Sequence, residues 1–310
     1  MPPPISVIIP AYNAAAWIAA AIESVHAQTL APAELIVVDN NSTDDTAAIA
    51  ATLGATVLHE TQRGAAAARN RGLRAAQGKW VALLDADDYW LPEKLAAQWG
   101  LVQQFPDLRL ISSNYFFDTD GKRGASAYET LGSGYNDLPK TALTPDAVRV
   151  MISDLSAQLA LGNSWLGLNS SAVFFRREDA LAIGVYDTTF LRLEDMEFFA
   201  RFLLTLDSIA LITTPLVAYR WHGANSTYSR LAMAECHVRL RECILATPTR
   251  YVPCADTWAG ATIPRWYRQL PLAQLRNRQA RTARDALRRS WKLNPNWRTA
   301  LLWVGSYFVP

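Results

Sequence analysis

Three short runs early in the chain, ISVIIP (5–10), ELIVVD (34–39) and KWVALLD (79–85), are apolar at nearly every position, not at alternate ones. A strand of that kind has no side to offer to water, so it belongs in a parallel sheet covered on both faces. ATVLHE (55–60) reads as a further short strand. The stretches between the strands, AAAWIAAAIESV, STDDTAAIAATLG and AAAARNRGLRAAQG, have helical character. In the second of these, Ser42 with Asp45 three residues on predicts an N-cap, and Gly54 a stop; Gly78 closes the third. Strands alternating with helices predict an α/β domain with a mostly parallel central sheet and helices on both faces. Ligands of such sheets bind at the carboxyl ends of the strands. That edge would carry Pro10, Tyr12, Asn13, Asp39 and the run Asp85 to Asp88.

The pattern continues with a helix near 92–104 and a strand near 109–116, then loosens. DTDGKRGASAYETLGSGYNDLPK (118–140) is polar and turn-rich and reads as a surface excursion. Regularity returns in SSAVFFRRE, EDMEFFARFLLTLD and IALITTPLVAYRWHG, and from about Tyr228 onward the reading is helical. The expected organisation is a domain over 1–227 in two parts, about 1–115 and 116–227. A basic helical extension follows over 228–310. A net charge of +2 gives no signal for nucleic acid. The charge is uneven, however: from Arg265 to Arg298 the only acid is Asp285. Such basic helices, with Trp266, Trp291 and Trp297 among them, could lie on an anionic membrane or simply pack. Three cysteines form no paired framework. MPPPISVIIP lacks the charged start of a signal peptide, and no run reaches the roughly 18 apolar residues of a membrane span. The expectation is a cytoplasmic protein, peripheral on the inner face of the membrane if the basic helices bind there.

WVALLDADDYW (80–90) runs from apolar residues straight into Asp85, Asp87 and Asp88. Carboxylates this close repel one another, and burying one without a partner is costly. Aspartate is a good turn residue, which is one reason to find it here. The other is a cation: Mg²⁺ or Mn²⁺ takes oxygen ligands, typically one or two carboxylates with substrate phosphates. A nucleotide diphosphate would also need a flat apolar face for its base, which Tyr12 could supply. Asp39 could accept the N3–H of a uracil, and Arg69 and Arg71 offer cationic donors for phosphate. GAAAARNRG lacks the G-x-G-x-x-G spacing of a dinucleotide fingerprint.

Taken together and in order, SVIIPAYN, IVVDNNSTDDT, GAAAARNRGL, LLDADD and LEDMEFFAR resemble the motif set of family 2 glycosyltransferases. The resemblance covers about residues 5–225 and implies the GT-A fold. It also implies inverting sugar transfer from a nucleotide-diphosphate sugar, usually a UDP-sugar, to the hydroxyl of a sugar or lipid-linked sugar acceptor in bacterial polysaccharide or glycoconjugate synthesis, with Mg²⁺ or Mn²⁺. By resemblance, about 1–115 is the nucleotide-binding half and 116–227 the acceptor-binding half. Asp85-Ala86-Asp87 is then a D-x-D motif in which Asp85 and Asp87 are metal ligands, Asp87 the more direct, while Asp88 orients the cluster or binds the donor sugar. Pro10, Tyr12, Asn13, Asp39, Arg69, Arg71, Asp85 and Ala86 hold the donor. Asp195 is implied as the general base, with Glu194 beside it on the acceptor side. His222 resembles an added metal or diphosphate ligand, Arg220 could meet phosphate, and Trp165 and Asn169 could contact the acceptor. The chain departs from the family at Asn40-Asn41, where Asp-Gly is common. Asparagine tolerates a left-handed backbone, so the turn can survive. Two other readings stand beside the transferase: a nucleotide-sugar-binding assembly protein without turnover, and a sugar nucleotidyltransferase. Against the second, IIPAYNAAAW has no glycine-rich loop.

Overall fold

The structure, a computed structural model, describes residues 3–130, 140–151 and 168–223, and beyond them 235–236, 239–240, 242–243, 274 and 280–293. Two compact units result, one of Met1–Leu155 with Ser164–His222, the other of Ser156–Asn163 with Gly223–Pro310.

The first unit is built on one sheet. Its strands are β1 (Ile5–Ala11), β2 (Glu34–Asp39), β3 (Thr56–His59), β4 (Trp80–Leu83), β5 (Tyr89–Trp90), β6 (Leu110–Thr119), β7 (Lys122–Ser126), β8 (Thr141–Thr144), β9 (Ala147–Met151), β10 (Val173–Arg176) and β11 (Ser208–Arg220). The order is β3-β2-β1-β4-β10-β6-β11-β9-β8, with β5 on β11 and β7 on β6. β3, β2, β1 and β4 run parallel, as their unbroken apolar runs require. Beyond them the sheet is mixed. β10 is antiparallel to both its neighbours, whereas β6 and β11 run parallel.

Helices α1 (Ile18–His26), α2 (Thr46–Thr52), α3 (Ala65–Ala75), α4 (Lys94–Gln104), α5 (Ala127–Thr130), α6 (Arg177–Ala182) and α7 (Glu194–Leu203) flank this sheet. One core holds Val7, Ile9, Ile18, Ile22, Leu95 and Trp80, whose ring stacks on Phe174 at 5.0 Å. A second cluster joins Phe175 of β10 to Phe198 and Phe202 of α7, with Tyr186 stacked on Phe198 at 4.0 Å. In α3 a glycine is required: a Cβ at Gly72 would collide with Ile8 Cγ2, so the close approach of helix to β1 depends on its absence.

Several local expectations need correction. Ser42 is not the cap of α2. That helix starts at Thr46 behind Asp45, and the Ser42 hydroxyl accepts instead from the Asn13 amide at 3.0 Å. The polar stretch after Asp118 does run at the surface, but its first residues form a strand and not a bare loop: they turn at Asp120-Gly121, both with positive φ, and return as β7, exposed at four of its five positions. Residues 131–139 of that stretch lie outside the described residues, as does Trp165.

In the second unit α8 (Ala280–Leu293) buries Ala283, Ala286 and Leu287. It exposes Thr282, Asp285, Arg288 and Trp291, with Arg284 half-buried between the two faces. Among the described residues, no helix is long and apolar enough to cross a membrane.

Candidate active site

At the carboxyl end of β1 the chain turns through Asn13, left-handed at φ 47°. The STDDT segment holds this turn. Asn13 Oδ1 accepts from the Thr43 amide at 2.8 Å, Ala14 N donates to Thr46 Oγ1 at 2.8 Å, and Ala15 N donates to Asp44 Oδ2 at 3.0 Å. Pro10 stays buried inside β1, while Tyr12 projects with about half its surface exposed. The Arg63 guanidinium lies 5.5 Å over the Tyr12 ring, a cation–π contact. Beside them Asp39 ends β2, nearly buried. It accepts from the Ser42 amide at 3.3 Å and faces His59 Nδ1 at 3.3 Å.

Asn41 is left-handed at φ 62°, so the turn does survive the loss of glycine. Asn40 has a function of its own. Its Nδ2 donates to the carbonyls of Glu60 and Gln62 at 2.9 and 2.7 Å, and its Oδ1 accepts from Gly64 N at 2.7 Å. A carboxylate could not make the two donations. Asn40 thus shapes the loop that presents Arg63.

The acidic run follows β4. Asp88 N donates to the Asp85 carbonyl at 3.0 Å, closing a turn. Each carboxylate then faces a different way. Asp85 accepts from Arg69 at 2.7 Å. Asp87 meets His222 Nε2 at 3.1 Å. Asp88, fully buried, accepts from Ser171 Oγ at 2.6 Å and from the Arg220 amide at 3.0 Å. Burial, and then the charge of Asp85, pushes the Asp87 carboxyl up, against the pull of His222. Burial and the charges of Asp87 and Asp85 push Asp88 well above the usual carboxylate range. Ala86 is buried between its acidic neighbours.

His222 is itself set by stacking on Trp17, with ring centroids 4.8 Å apart and planes 11° apart. The Arg220 guanidinium lies 4.7 Å over Tyr89 and 5.6 Å over Trp17.

Across from the acidic loop stands α7. Arg69, buried in α3, reaches Glu194 with one guanidinium nitrogen at 2.6 Å and Asp85 with the other at 2.7 Å. Burial works against its charge, and the carboxylates of Asp85 and Glu194 more than offset it, so Arg69 stays firmly protonated. Arg71 is two residues on, about 200° round the helix, and is exposed. The two arginines therefore point to different faces, and only Arg69 joins the carboxylates. Asp195 keeps part of its surface open. It nevertheless lies deep among protein atoms, and its carboxyl is pushed up to about 7 by burial and by Glu194, with Arg69 opposing. Its Oδ1 accepts from the Met196 amide at 2.7 Å. Leu193, left-handed at φ 60°, precedes α7 and leaves its first turn without a side-chain cap.

Asn169 caps the 3-10 turn Ser170–Ala172, its Oδ1 accepting from Ser171 N at 2.7 Å. Sequence reasoning missed Trp17, Arg63, Tyr89 and Ser171. Trp17 sat in an apparent helix, and the others have partners too distant along the chain to leave a pattern.

Among the described residues no three acidic, histidine or cysteine side chains converge on one point. Asp87 and His222 form a ready pair, while Asp85 is turned to Arg69. That donor set fits a divalent ion of the Mg²⁺ or Mn²⁺ class whose remaining positions are filled by diphosphate and water.

A parallel nucleotide-type half joined to a mixed half, with an acidic loop after β4, defines the GT-A fold. The chain superposes on Staphylococcus aureus TarS 1–349 in complex with UDP-GlcNAc with a TM-score of 0.63 at 17% identity, over 99% of this chain and 89% of that one. The family model "Glycosyl transferase family 2" matches residues 6–160, and the chain belongs to that family. An uncharacterized glycosyltransferase of Nostoc sp. is 31% identical over 232 residues, which is 73% of this chain and 67% of the relative. The Escherichia coli UDP-Glc:alpha-D-GlcNAc-diphosphoundecaprenol beta-1,3-glucosyltransferase WfaP is 36% identical over 120 residues. That match spans 37% of this chain and just under half, 47%, of the relative.

Proposed function

We propose that this chain is an inverting, metal-dependent glycosyltransferase that moves a hexosyl unit from a UDP-sugar to the hydroxyl of a lipid-linked or free sugar acceptor. The observation that carries the reading is Arg69. One buried guanidinium ties the acidic loop after β4 to the start of α7, so the carboxylates suited to a donor and those suited to a base share one site. The names of relatives, one a glucosyltransferase using UDP-Glc and a diphosphoundecaprenol acceptor, support the substrate class.

In this reading Tyr12 and Arg63 stack on the base, Asp39 accepts from it, and the turn at Pro10 and Asn13 fits the ribose end. Asp87 and His222 would hold Mg²⁺ or Mn²⁺, with Asp85 and Ala86 lining the diphosphate and Arg220 near its charge. A bound ion would supply charge neutralisation, so that the diphosphate could depart without a proton. Asp195 accepts the proton of the acceptor hydroxyl through Oδ2. The acceptor oxygen bonds to C1 as the bond from C1 to the diphosphate oxygen breaks, and UDP leaves with the electron pair. Glu194 lies on the acceptor side and keeps Arg69 in place. Asn169 holds the turn behind the loop, and Arg71 stays on the solvent face of α3. The catalytic domain is taken as 1–227, with 116–227 shaping the acceptor side and the basic segment 228–310 meeting an anionic surface that carries the acceptor.

The test is a panel of UDP- and GDP-sugars with Mn²⁺, read by thermal shift and by release of nucleoside diphosphate in the presence of polyprenyl-diphosphate sugars. The expected result is a shift of unfolding for UDP-sugars only with metal, and release that depends on the acceptor. Binding with no release under any acceptor would favour an assembly protein without turnover.

A further inference from the structure

One residue outside the roles above touches the acidic loop at two of its aspartates. Ser171 lies in the 3-10 turn before β10 and is fully buried. Its Oγ accepts from the Asp85 amide at 3.0 Å and donates to Asp88 Oδ2 at 2.6 Å. The hydroxyl thus accepts the Asp85 amide on a lone pair and directs its single proton at Asp88. The other oxygen of Asp88 accepts from the backbone of Arg220, two residues before His222. Asp88 is also the direct neighbour of Asp87. The Ser171–Asp88 bond therefore fixes, from within the protein, the two chain segments that bring Asp87 and His222 to 3.1 Å.

The turn bearing Ser171 is itself anchored. Trp90 Nε1 donates to the Ser171 carbonyl at 2.7 Å, and Gln98 Nε2 donates to the Ala172 carbonyl at 2.8 Å. Gln98 accepts in turn from the buried Lys94 at 2.9 Å, and Lys94 Nζ rests 4.0 Å over the Trp90 ring. Nothing in this brace opens to a substrate: Asp88, Ser171, Lys94 and Gln98 are all at 0% exposure.

We propose that Ser171 and Asp88 are positioning residues, neither touching donor nor acceptor, which set the spacing and direction of the Asp87–His222 pair for a divalent cation. The inference rests on the metal-dependent reading above and deepens it. It assigns the third aspartate of the run to the support of the ligands and not to the ion.

Outer partners that orient metal ligands cost about 10- to 100-fold in metal affinity when removed. The measurement is Mn²⁺ retention with saturating UDP, read from the electron paramagnetic resonance signal of free Mn²⁺, for wild type, Ser171→Ala, Ser171→Thr and Asp88→Asn. UDP affinity without metal is measured alongside. Expected are a loss of about 10- to 100-fold in Mn²⁺ affinity for Ser171→Ala and Asp88→Asn, recovery towards wild type in Ser171→Thr, and unchanged metal-free UDP binding. A purely structural serine would lower the unfolding temperature and leave the Mn²⁺ affinity of the folded protein alone, and that result overturns the proposal. Where a Ser171 variant fails to fold, the isosteric Asp88→Asn carries the same test. If wild type itself retains no Mn²⁺ with UDP, the metal-dependent function fails first. If wild type retains it and the variants equal it, only the positioning role fails.

Discussion

The molecule has two acidic clusters that look alike in sequence, DADD after β4 and ED at the start of α7, and they are built differently. The first is divided among separate partners: Arg69 for Asp85, His222 for Asp87, Ser171 and a backbone amide for Asp88. The second has one cationic partner on Glu194 and leaves Asp195 with a backbone amide. Burial and like charge raise the carboxyls of Asp87, Asp88 and Asp195 alike. What differs is the hold on them: side chains fix the direction of the first three carboxylates, whereas Asp195 accepts from the backbone amide of Met196. The proposed division into ligands and base rests on that difference.

The largest effect expected on this contrast comes from Arg69→Met, which removes the one group shared by both clusters. Removing one partner of a buried ion pair destabilises by about 3–5 kcal/mol, and here two carboxylates are left facing each other. Chemical denaturation should show that loss, and UDP affinity and turnover should fall together. A variant that keeps its stability would mean the clusters are independent.

Asn40→Asp comes next. It places a carboxylate oxygen against the carbonyls of Glu60 and Gln62 in place of two donations. A buried group left unsatisfied costs about 1–3 kcal/mol. Lower stability with weaker UDP binding is expected, through the displaced Arg63 and not through the metal, so the weakening should persist without Mn²⁺.

The pH dependence is a milder probe. A base works only when ionised, so kcat/KM should rise with pH to a plateau above about 7. Below that it should fall about tenfold per unit, because each unit leaves a tenth as much Asp195 ionised. The stability sign is opposite. The folded state holds this proton to higher pH than the unfolded chain, so the Asp195 contribution to stability declines as pH rises from the ordinary carboxylate range to about 7. A flat profile from pH 5 to 8 would remove Asp195 from the role.

The smallest effect concerns α8, where Arg288 and Trp291 are exposed and Arg284 is partly so. Each basic residue near an anionic surface contributes about 1 kcal/mol. Co-sedimentation with anionic vesicles should be measurable at low salt and lost at high salt. Sedimentation that ignores salt would rule out an electrostatic contact.

Much of the frame could be read from the sequence because it is local. The apolar runs of β1, β2 and β4 leave a parallel sheet as their only economical home, and Asp39 and Asp85 fall at strand ends as that sheet requires. The left-handed Asn41 follows from asparagine chemistry. The braces were not legible. Asp88 meets Ser171 across 83 residues and Asp87 meets His222 across 135, separations over which neither periodicity nor turn chemistry speaks. Ser42 failed as a cap because α2 begins only at Thr46, behind Asp45, and the Ser42 hydroxyl instead accepts from Asn13, a residue brought beside it only by the fold. Arg69 and Arg71 looked equivalent until helix geometry put one inside and one out.

The division of labour is tested most directly by one paired measurement: kcat with a working acceptor beside UDP affinity in Mn²⁺, for Asp195→Asn and Asp87→Asn. Asp195→Asn keeps the size of the side chain and cannot take the proton. It should lose about 10²- to 10⁴-fold in kcat while binding UDP as wild type does. Its folded state, relieved of a buried repulsive charge, should be no less stable at pH 8. Asp87→Asn should weaken UDP binding and rate together, by at least about tenfold if it acts as a ligand, with little effect on metal-free UDP affinity. If instead Asp195→Asn turns over at near the wild-type rate, or loses UDP while remaining folded, the two clusters do not divide the work in this way.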